Sequence, residues 1–511
     1  MDFSLGSRLE ELLGQVRSFM DEHVYPVEAE AMAALDEEVK PGVAYPEIII
    51  GIREKAREQG LWNMFLPDEE HGTGLTNWEY GMLCEEMGRS PVVAPMAFNC
   101  AAPDTGNMEI LLEHGTDEQK QRWLEPLLNE HRRSCFSMTE PEVAGSDPTT
   151  LQARAELDES SGEWVINGHK WFTSGAVGAD IAIAMVVTDP DAHPYARASM
   201  IIVPVDTPGF DLVRSVSVMG HDKGPGHCEI RYEDCRVPEA NLLGPRGAGF
   251  VIAQDRLGPG RIHHCMRAIG TCERAIDLMC QRANEREAFG GKLADKQFVQ
   301  DFVAKSRMET EQARLLTLKA AWKMDTEGKR EARREISMIK VVAANVVMDV
   351  LDRAIQVHGS LGMSDDTPLA SMWRFSRMLK VADGPDDRAV EKLSIGGRDT
   401  RDRREYRDTC EVEQGFHKSR SLFVKWRRAI GIRNRFGDAH GRRLERLFAA
   451  AIERHVGDHG LRRLRVFVID LQVDVHLAAC VEYARHRRNQ LLPILHQGAE
   501  RLRLRALVLA R

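Results

Sequence analysis

The spacing of hydrophobic positions divides the chain into three successive patterns. Up to about residue 130, apolar residues recur every three or four positions, as between Leu5 and Phe19, and this period predicts amphipathic helices. From Ser134 to about Asn241 the period is two, which predicts β-strands. From Gly249 to about Val381 the helical period returns, and one apolar stripe runs from Ile336 to Ile355. The stripe ends at His358-Gly359, where the glycine is suited to cap a helix.

These patterns predict an α+β multidomain fold. We expect an N-terminal helical domain over residues 1–132, a central antiparallel β domain over 133–243 and a C-terminal four-helix bundle over 244–393. Within the strand region, Asn167-Gly168 stands between two β-prone runs. Because Asn-Gly favours the positive φ angles of a two-residue hairpin turn, we expect a hairpin there.

Composition narrows the class of protein. The chain has 511 residues, of which 43% are hydrophobic, so we expect two or three globular domains. Its ten cysteines show no Cys-x-x-Cys pair, which favours reduced core thiols over disulfides or a metal site and indicates a cytoplasmic protein. The N-terminal segment resembles no secretory signal, and no apolar run is long enough to predict a membrane span.

The segment from residue 394 to 511 differs from the rest in charge. From Arg398 onward, 26 Lys and Arg residues stand against 14 Asp and Glu, and the only lysines are Lys418 and Lys425. One interpretation is a basic patch for nucleic acid or a membrane surface. The other is translation in a shifted reading frame, because GC-rich coding sequence read out of register yields excess Arg. We favour the second, and therefore expect a tail of doubtful fold and no nucleic-acid partner.

The stretch Phe136–Ser146 carries the most specific chemistry. It reads Phe-Ser-Met-Thr-Glu-Pro-Glu-Val-Ala-Gly-Ser and is followed by Asp147. A short β-prone run here breaks into a turn that presents hydroxyls and backbone N–H groups together. Such a turn suits a polar heteroaromatic ring and an anion, although a plain surface connection has the same residue types.

The same eleven residues closely resemble the first signature of the acyl-CoA dehydrogenase family. The resemblance is strongest to the branch of family members ten and eleven, and it extends to about Asp387. It implies FAD as cofactor and an acyl-CoA substrate, with Ser146 touching both. The flavin-contacting residues that it implies in this loop are Phe136, Met138, Thr139, Gly145 and Ser146.

Further motifs extend the resemblance to a second strand. Phe172-Thr173-Ser174 matches the other flavin-contacting strand of the family, which implies that Phe172 covers the flavin and that the Ser174 hydroxyl lies near N5. A Rossmann site is excluded, because Gly244–Gly249 has the wrong glycine order.

The bundle resembles the family at its substrate and subunit contacts. Gly258-Pro259-Gly260-Arg261 matches the CoA-contacting turn, and Gly384 is implied to contact substrate as well. Pro385 and Asp387 match flavin-contacting positions. A third set matches positions that reach the FAD of a neighbouring subunit, which implies a homodimer or homotetramer: Arg286, Gln297, Gln356, Gly359 and Ser360.

Asp383, in Val-Ala-Asp-Gly-Pro-Asp, is the candidate catalytic base. The resemblance implies that it removes a proton from Cα while a hydride leaves Cβ for flavin N5. Some family members supply this carboxylate from the bundle helix, but the corresponding position here is Gly260. We expect burial to raise the pKa of Asp383. Since Asp is one methylene shorter than Glu, we also expect a branched, hydroxylated or bulky acyl group.

The sequence leaves three hypotheses open for the electron acceptor and the activity. The family implies an electron-transferring flavoprotein. A flavoprotein oxidase of the same fold, acting on an acyl-CoA or a nitroalkane, is the alternative. A third hypothesis is a catalytically impaired subunit, because the family's usual ending is altered after Asp387.

Overall fold

The N-terminal part of the chain is helical, as its apolar period predicted. The computed structural model describes residues 4–386 and Ala389, so Asp387 and the tail from 394 lie outside the described residues. A capping box of Thr76 and Glu79 begins one of the helices. The helices are α1 (Ser7–Phe19), α2 (Glu28–Glu38), α3 (Glu47–Glu58), α4 (Asn77–Gly88), α5 (Val93–Ala97), α6 (Asp104–His114), α7 (Asp117–Gln119) and α8 (Glu125–Asn129).

A mostly antiparallel sheet follows. Its strands are β1 (Ser134–Ser137), β2 (Arg154–Asp158), β3 (Glu163–Ser174), β4 (Ile181–Val187), β5 (Ala198–Pro204), β6 (Phe210–Ser215), β7 (His227–Pro238) and β8 (Leu242–Leu243). The order is β6-β7-β3-β2-β4-β5-β8, and β1 pairs with β4 in parallel. Along β4, residues 181, 183, 185 and 187 face the helical core, and Ala182, Ala184 and Val186 face a second core inside the β domain. Both faces of β4 are therefore covered, which explains its uninterrupted apolar sequence.

The expected hairpin at Asn167-Gly168 is wrong. The hairpin joins β2 to β3 through residues 159–162, where Gly162 has a φ of 68°. Asn167 and Gly168 lie inside β3, at an irregularity in its pairing with β7. The Asn167 amide binds both the backbone N–H and the carboxylate of Asp234, at 2.8 and 3.1 Å. A Cβ on Gly168 would overlap Ala153, so this Asn-Gly pair serves a long-range contact.

Long helices return after the sheet. They are α9 (Gly249–Glu285), α10 (Gln297–Glu327), α11 (Arg333–His358) and the short α12 (Leu369–Arg377), with a small hairpin of β9 (Glu287–Ala288) and β10 (Gly291–Lys292) after α9. Gly359, with a φ of 68°, ends α11 at the predicted position. The three-part α+β fold expected from the sequence is thereby confirmed.

Helix α9 packs so closely against the N-terminal domain that no side chain fits between the two main chains at the contact. A Cβ on Gly88 of α4 would overlap the main chain of Arg267, and one on Gly270 would overlap the carbonyl of Glu85. The Thr271 hydroxyl donates to the Gly88 carbonyl at 2.9 Å, and Arg267 donates to the Cys100 carbonyl at 2.6 Å. These contacts fix α9 between the N-terminal helices and the rest of the bundle.

Two properties of the described residues bear on the class of protein. None of their helices combines the length and the apolar character that crossing a bilayer requires. Their eight cysteines carry free thiols, and seven of these are buried.

Gly270→Ala should destabilise the fold, because the new methyl group forces α4 and α9 apart. We expect a loss of about 1–3 kcal/mol in the free energy of unfolding, measured by urea denaturation. Gly14→Ala is the matched control, since Gly14 is exposed in α1 with open space around its Cα. The control should be neutral or stabilising by about 0.5–1 kcal/mol. Equal effects of the two substitutions would contradict the close contact.

Candidate active site

The signature loop after β1 is anchored by a buried ion pair. The Lys170 ammonium lies 2.8 Å from Glu140 and donates to the carbonyls of Met138, at 2.8 Å, and Met185, at 2.7 Å. The other hydrogen bonds of the Glu140 carboxylate come from the backbone N–H groups of residues 152 and 153. Burial lowers the pKa of Lys170 to about 8, although Glu140 opposes this shift. The pair ties the start of the loop to the sheet.

Beyond this anchor the loop opens to solvent. The Thr139 carbonyl accepts from the backbone N–H of Trp171 at 3.0 Å, so the loop runs beside β3. Gly145 and Ser146 are exposed. A Cβ on Gly145 would lie 2.8 Å from the Thr139 methyl group, so glycine allows the loop to fold back on Thr139. The Asp147 carboxylate accepts from the Thr149 N–H at 3.2 Å and closes the turn.

Phe172 is held in an unusual conformation beside this loop. It has a φ of 49°, which is rare for a bulky residue, and its side chain is 42% exposed. The pairing of β3 with β7 shifts between Lys170 and Thr173, and this irregularity turns the Phe172 ring outward. Strained residues with exposed aromatic rings are typical of ligand sites.

The next two residues of β3 are tied to their neighbours. The Thr173 hydroxyl is buried and donates to Ser137 of β1 at 3.4 Å. The Ser174 hydroxyl lies 2.7 Å from Nδ1 of His227 on β7. Both hydroxyls of the predicted motif therefore have fixed positions.

Arg256 of α9 links the sheet to the bundle. Its guanidinium carbon lies 4.2 Å from the centre of the Phe136 ring, and its side chain donates to Asn107 at 3.1 Å. It also interacts electrostatically with Asp383, the candidate base. One arginine thus contacts the signature strand while facing the base.

Asp383 itself has a φ of 56°, in the left-handed region. Arg261 of α9 donates two hydrogen bonds to the Asp383 main-chain carbonyl, from Nε at 3.1 Å and Nη2 at 2.5 Å. The Arg261 guanidinium thus holds the segment of the candidate base, and the substrate contact that the resemblance implied for it stays a prediction. Gly384, with a φ of 95°, continues the turn.

Two lysines hold the chain on either side of this turn against α11. Lys340 is buried, donates to the Leu379 carbonyl and lies 3.6 Å from Asp386. The Lys380 ammonium donates to Asn345 at 2.5 Å. Arg261 and the two lysines together hold the segment of the candidate base, and Pro385 lies in the same segment.

The expected upward shift in the pKa of Asp383 is wrong. Burial raises its pKa, but His264, Arg256, Arg261 and Lys340 all lower it, and the net pKa lies below the ordinary value. Burial counted alone misses this concentration of cationic groups. The carboxylate is therefore ionised at neutral pH, as a proton acceptor must be.

The predicted substrate turn lies in the interior of α9. Gly258, Pro259 and Gly260 continue the helix, and proline there removes one backbone donor. Gly258 and Gly260 have open space where a Cβ would be, whereas Pro259 is buried. The two glycines therefore leave α9 without side-chain bulk just before Arg261.

The residues predicted to reach a neighbouring subunit are all exposed in a single chain. They are Arg286, Gln297, Gln356, Gly359 and Ser360. Phe289 and Phe298, close to two of them in sequence, are 99% and 81% exposed. Such aromatic exposure is typical of an interface that another chain covers.

Sequence reasoning missed His264, Arg256 and Lys340. His264 stands in Ile-His-His-Cys, and only its position one turn after Gly260 on α9 suggested that it faces the same side. Arg256 and Lys340 carry no local signal, since charged residues on helices usually face solvent.

The acyl-CoA dehydrogenase N-terminal, middle and C-terminal domains match residues 7–131, 135–235 and 247–394. The chain is 50% identical over 389 residues to the probable acyl-CoA dehydrogenase FadE2 of Mycobacterium tuberculosis, an alignment covering 76% of this chain and 94% of that protein. It is 48% identical over 385 residues to acyl-CoA dehydrogenase family member 11 of Gallus gallus, covering 74% of this chain but only 49% of that protein.

A solved structure shows the same family similarity. An acyl-CoA dehydrogenase homologue from Mycobacterium abscessus superposes with a TM-score of 0.73 at 45% identity, covering 77% of this chain and 98% of that one. The similarity thus extends over all three domains.

Lys170→Met should destabilise the protein, because it leaves the Glu140 carboxylate buried without its ammonium partner. We expect a loss of about 3–5 kcal/mol in the free energy of unfolding, measured by urea denaturation. Lys305→Met is the control, because Lys305 forms an exposed pair with Asp301 and its loss should cost about 0.5 kcal/mol or less. A Lys170 variant as stable as the control would show that the pair does not anchor the loop.

Proposed function

The chain belongs to the acyl-CoA dehydrogenase family, whose members are flavin-dependent oxidoreductases acting on acyl-CoA, and from this premise we propose that it desaturates an acyl-CoA thioester between Cα and Cβ with FAD as cofactor. Asp383 is the base that removes the α-proton. The proposal rests chiefly on one observation: Asp383 stands in a left-handed turn whose main-chain carbonyl is held by Arg261, the residue after Gly260 on α9.

The residues present fit a flavin. Phe172 is exposed and strained, and it lies next to the signature loop. In that loop Gly145 folds against Thr139, and Ser146 is exposed to solvent. A planar ring on Phe172 would gain stacking energy, and the loop would supply hydrogen bonds. When bound, FAD supplies the acceptor for the hydride that leaves Cβ.

The contribution of the chain is to position one carboxylate. An α-proton of a thioester is a weak acid, so the base must be ionised and correctly placed when the substrate arrives. The lowered pKa of Asp383 provides the ionised form. Arg261, Lys340 and Lys380 restrict the movement of the segment that carries it.

A second copy of the chain is the proposed partner at the exposed aromatic surface. Met308, Leu315 and Trp322 are also exposed and recur every seven residues along α10. This spacing places them on one side of the helix, as in a helix–helix interface. We propose a homodimer or homotetramer in which Arg286 and Gln297 serve the cofactor of the neighbouring subunit.

The remaining assignments follow from the family and from the free thiols. We propose an electron-transferring flavoprotein as the acceptor of the electrons. Eight unpaired cysteines in the described residues suit a reducing compartment, and we propose the cytoplasm.

Asp383→Asn should keep FAD but lose the reaction, because an amide cannot accept the α-proton. We expect anaerobic bleaching of the flavin by a panel of straight, branched and hydroxylated acyl-CoAs to fall by at least about 10²-fold. Absorbance at the flavin bands measures both FAD content and reduction. Bleaching at the wild-type rate would remove Asp383 from the reaction.

Phe298→Asp should dissociate the oligomer, because it places a charge on the exposed aromatic surface of the proposed interface. We expect a smaller particle mass by light scattering and less retained FAD. Val213→Asp is the control, since Val213 is 47% exposed on β6, far along the chain from α10. An unchanged mass for the Phe298 variant would contradict the interface.

A further inference from the structure

His264 is the side chain on α9 that faces the proposed base directly. It lies one helical turn after Gly260, and its Nε2 is 3.7 Å from Oδ2 of Asp383. The two side chains are 30% and 18% exposed, so solvent reaches both of them. The distance is slightly longer than a hydrogen bond, as is common for catalytic pairs without substrate.

The surroundings set the charge of each partner. Burial lowers the pKa of His264, and Arg267, Arg256 and Lys340 lower it further, while Asp383 opposes them. Arg256, Arg261 and Lys340 likewise favour the ionised form of Asp383. At neutral pH the pair is therefore a carboxylate beside a neutral imidazole. The pKa of His264 falls to about 4, close to that of a carboxyl group, so one added proton can be held by either group.

We propose that His264 and Asp383 form a proton-sharing dyad, in which Asp383 takes the α-proton and His264 receives it and returns it to solvent. This inference rests on the proposed function of Asp383. It makes His264 a second proton-handling residue of the same site.

The proton balance of the step is complete within the dyad. The Cα–H bond breaks, its electron pair stays on the substrate, and the proton forms an O–H bond on Asp383. In the tautomer that carries hydrogen on Nδ1, the free Nε2 of His264 then accepts this proton. Water that reaches the partly exposed imidazolium then takes the same proton from Nε2, which leaves the Nδ1–H imidazole and the Asp383 carboxylate as they began.

Exchange of α-hydrogen with solvent tests this path apart from desaturation. The probe is 3,3-dimethylbutanoyl-CoA, which has hydrogens on Cα and none on Cβ. The purified holoprotein is incubated with it in D2O, and mass spectrometry follows deuterium incorporation. Asp383→Asn should abolish exchange, whereas His264→Gln should slow it by about 10- to 100-fold.

The matched control is His114→Gln. His114 also pairs with a carboxylate, that of Asp255 at 3.2 Å, and is similarly shielded, but it lies on α6. This variant should exchange deuterium at the wild-type rate. Circular dichroism and flavin absorbance establish that each variant is folded and loaded.

The pH profile separates proton sharing from support of the fold. Exchange requires ionised Asp383, so its rate falls as pH falls through the pKa of that group. Protonated His264 holds this pKa down, and His264→Gln should therefore move the acidic limb of the profile to higher pH. If His264 only supported the fold, His264→Gln would lower the exchange rate at every pH and would leave the acidic limb of the profile at the wild-type pH.

A second measurement avoids any folding defect of the His264 variants. The imidazole of His264, followed by NMR with labelled histidine, should titrate at lower pH in Asp383→Asn than in the wild type, because the variant removes the negative charge. Wild-type exchange by Asp383→Asn would overturn the proposed function. Loss of exchange in that variant, combined with an unmoved limb in His264→Gln or an unmoved His264 titration, would overturn the dyad alone.

Discussion

The main-chain contact between α4 and α9 is the constraint on which the site depends. Gly88 and Gly270 let the two helices approach more closely than any side chain allows, and Thr271 and Arg267 bond across the contact. Once α9 is fixed in this way, the directions of its other side chains are determined by the helical period. Arg256 then reaches Phe136 while Arg261 reaches the Asp383 segment. A shift of α9 would therefore disturb both of these contacts together.

The charges around Asp383 shift its pKa in the opposite direction to burial. A carboxyl group removed from water normally becomes a weaker acid, yet four cationic or basic side chains reverse the shift. Lys340 is itself affected by burial, which lowers its pKa. Its ammonium donates to the Leu379 carbonyl and lies close to Asp386. The proposed base is therefore kept ionised by its neighbours, which lie far from it in the sequence.

Backbone strain occurs on both sides of the proposed site. Phe172 and Asp383 have φ angles of 49° and 56°, conformations that cost of the order of 1–3 kcal/mol for residues other than glycine. Arg261 bonds the Asp383 main-chain carbonyl, and Lys170, two residues before Phe172, bonds the Met138 carbonyl of the signature loop. The strain turns an aromatic ring outward at one point and orients a carboxylate at the other.

The sequence by itself determined the three-part architecture, because hydrophobic periods of 3.6 and 2 report local geometry directly, and it also located the helix end at Gly359. The resemblance carried by Phe136–Ser146 identified the family correctly. Only the tertiary structure decided that Asn167-Gly168 lies inside a strand, that β1 runs parallel to β4 and that Asp383 is more acidic than usual. It also brought His264 to Asp383 across more than a hundred residues. The physical reason is the same in each case: the deciding partners, Asp234, Ala153 and the cations of α9 and α11, are distant in sequence and meet only when the chain folds.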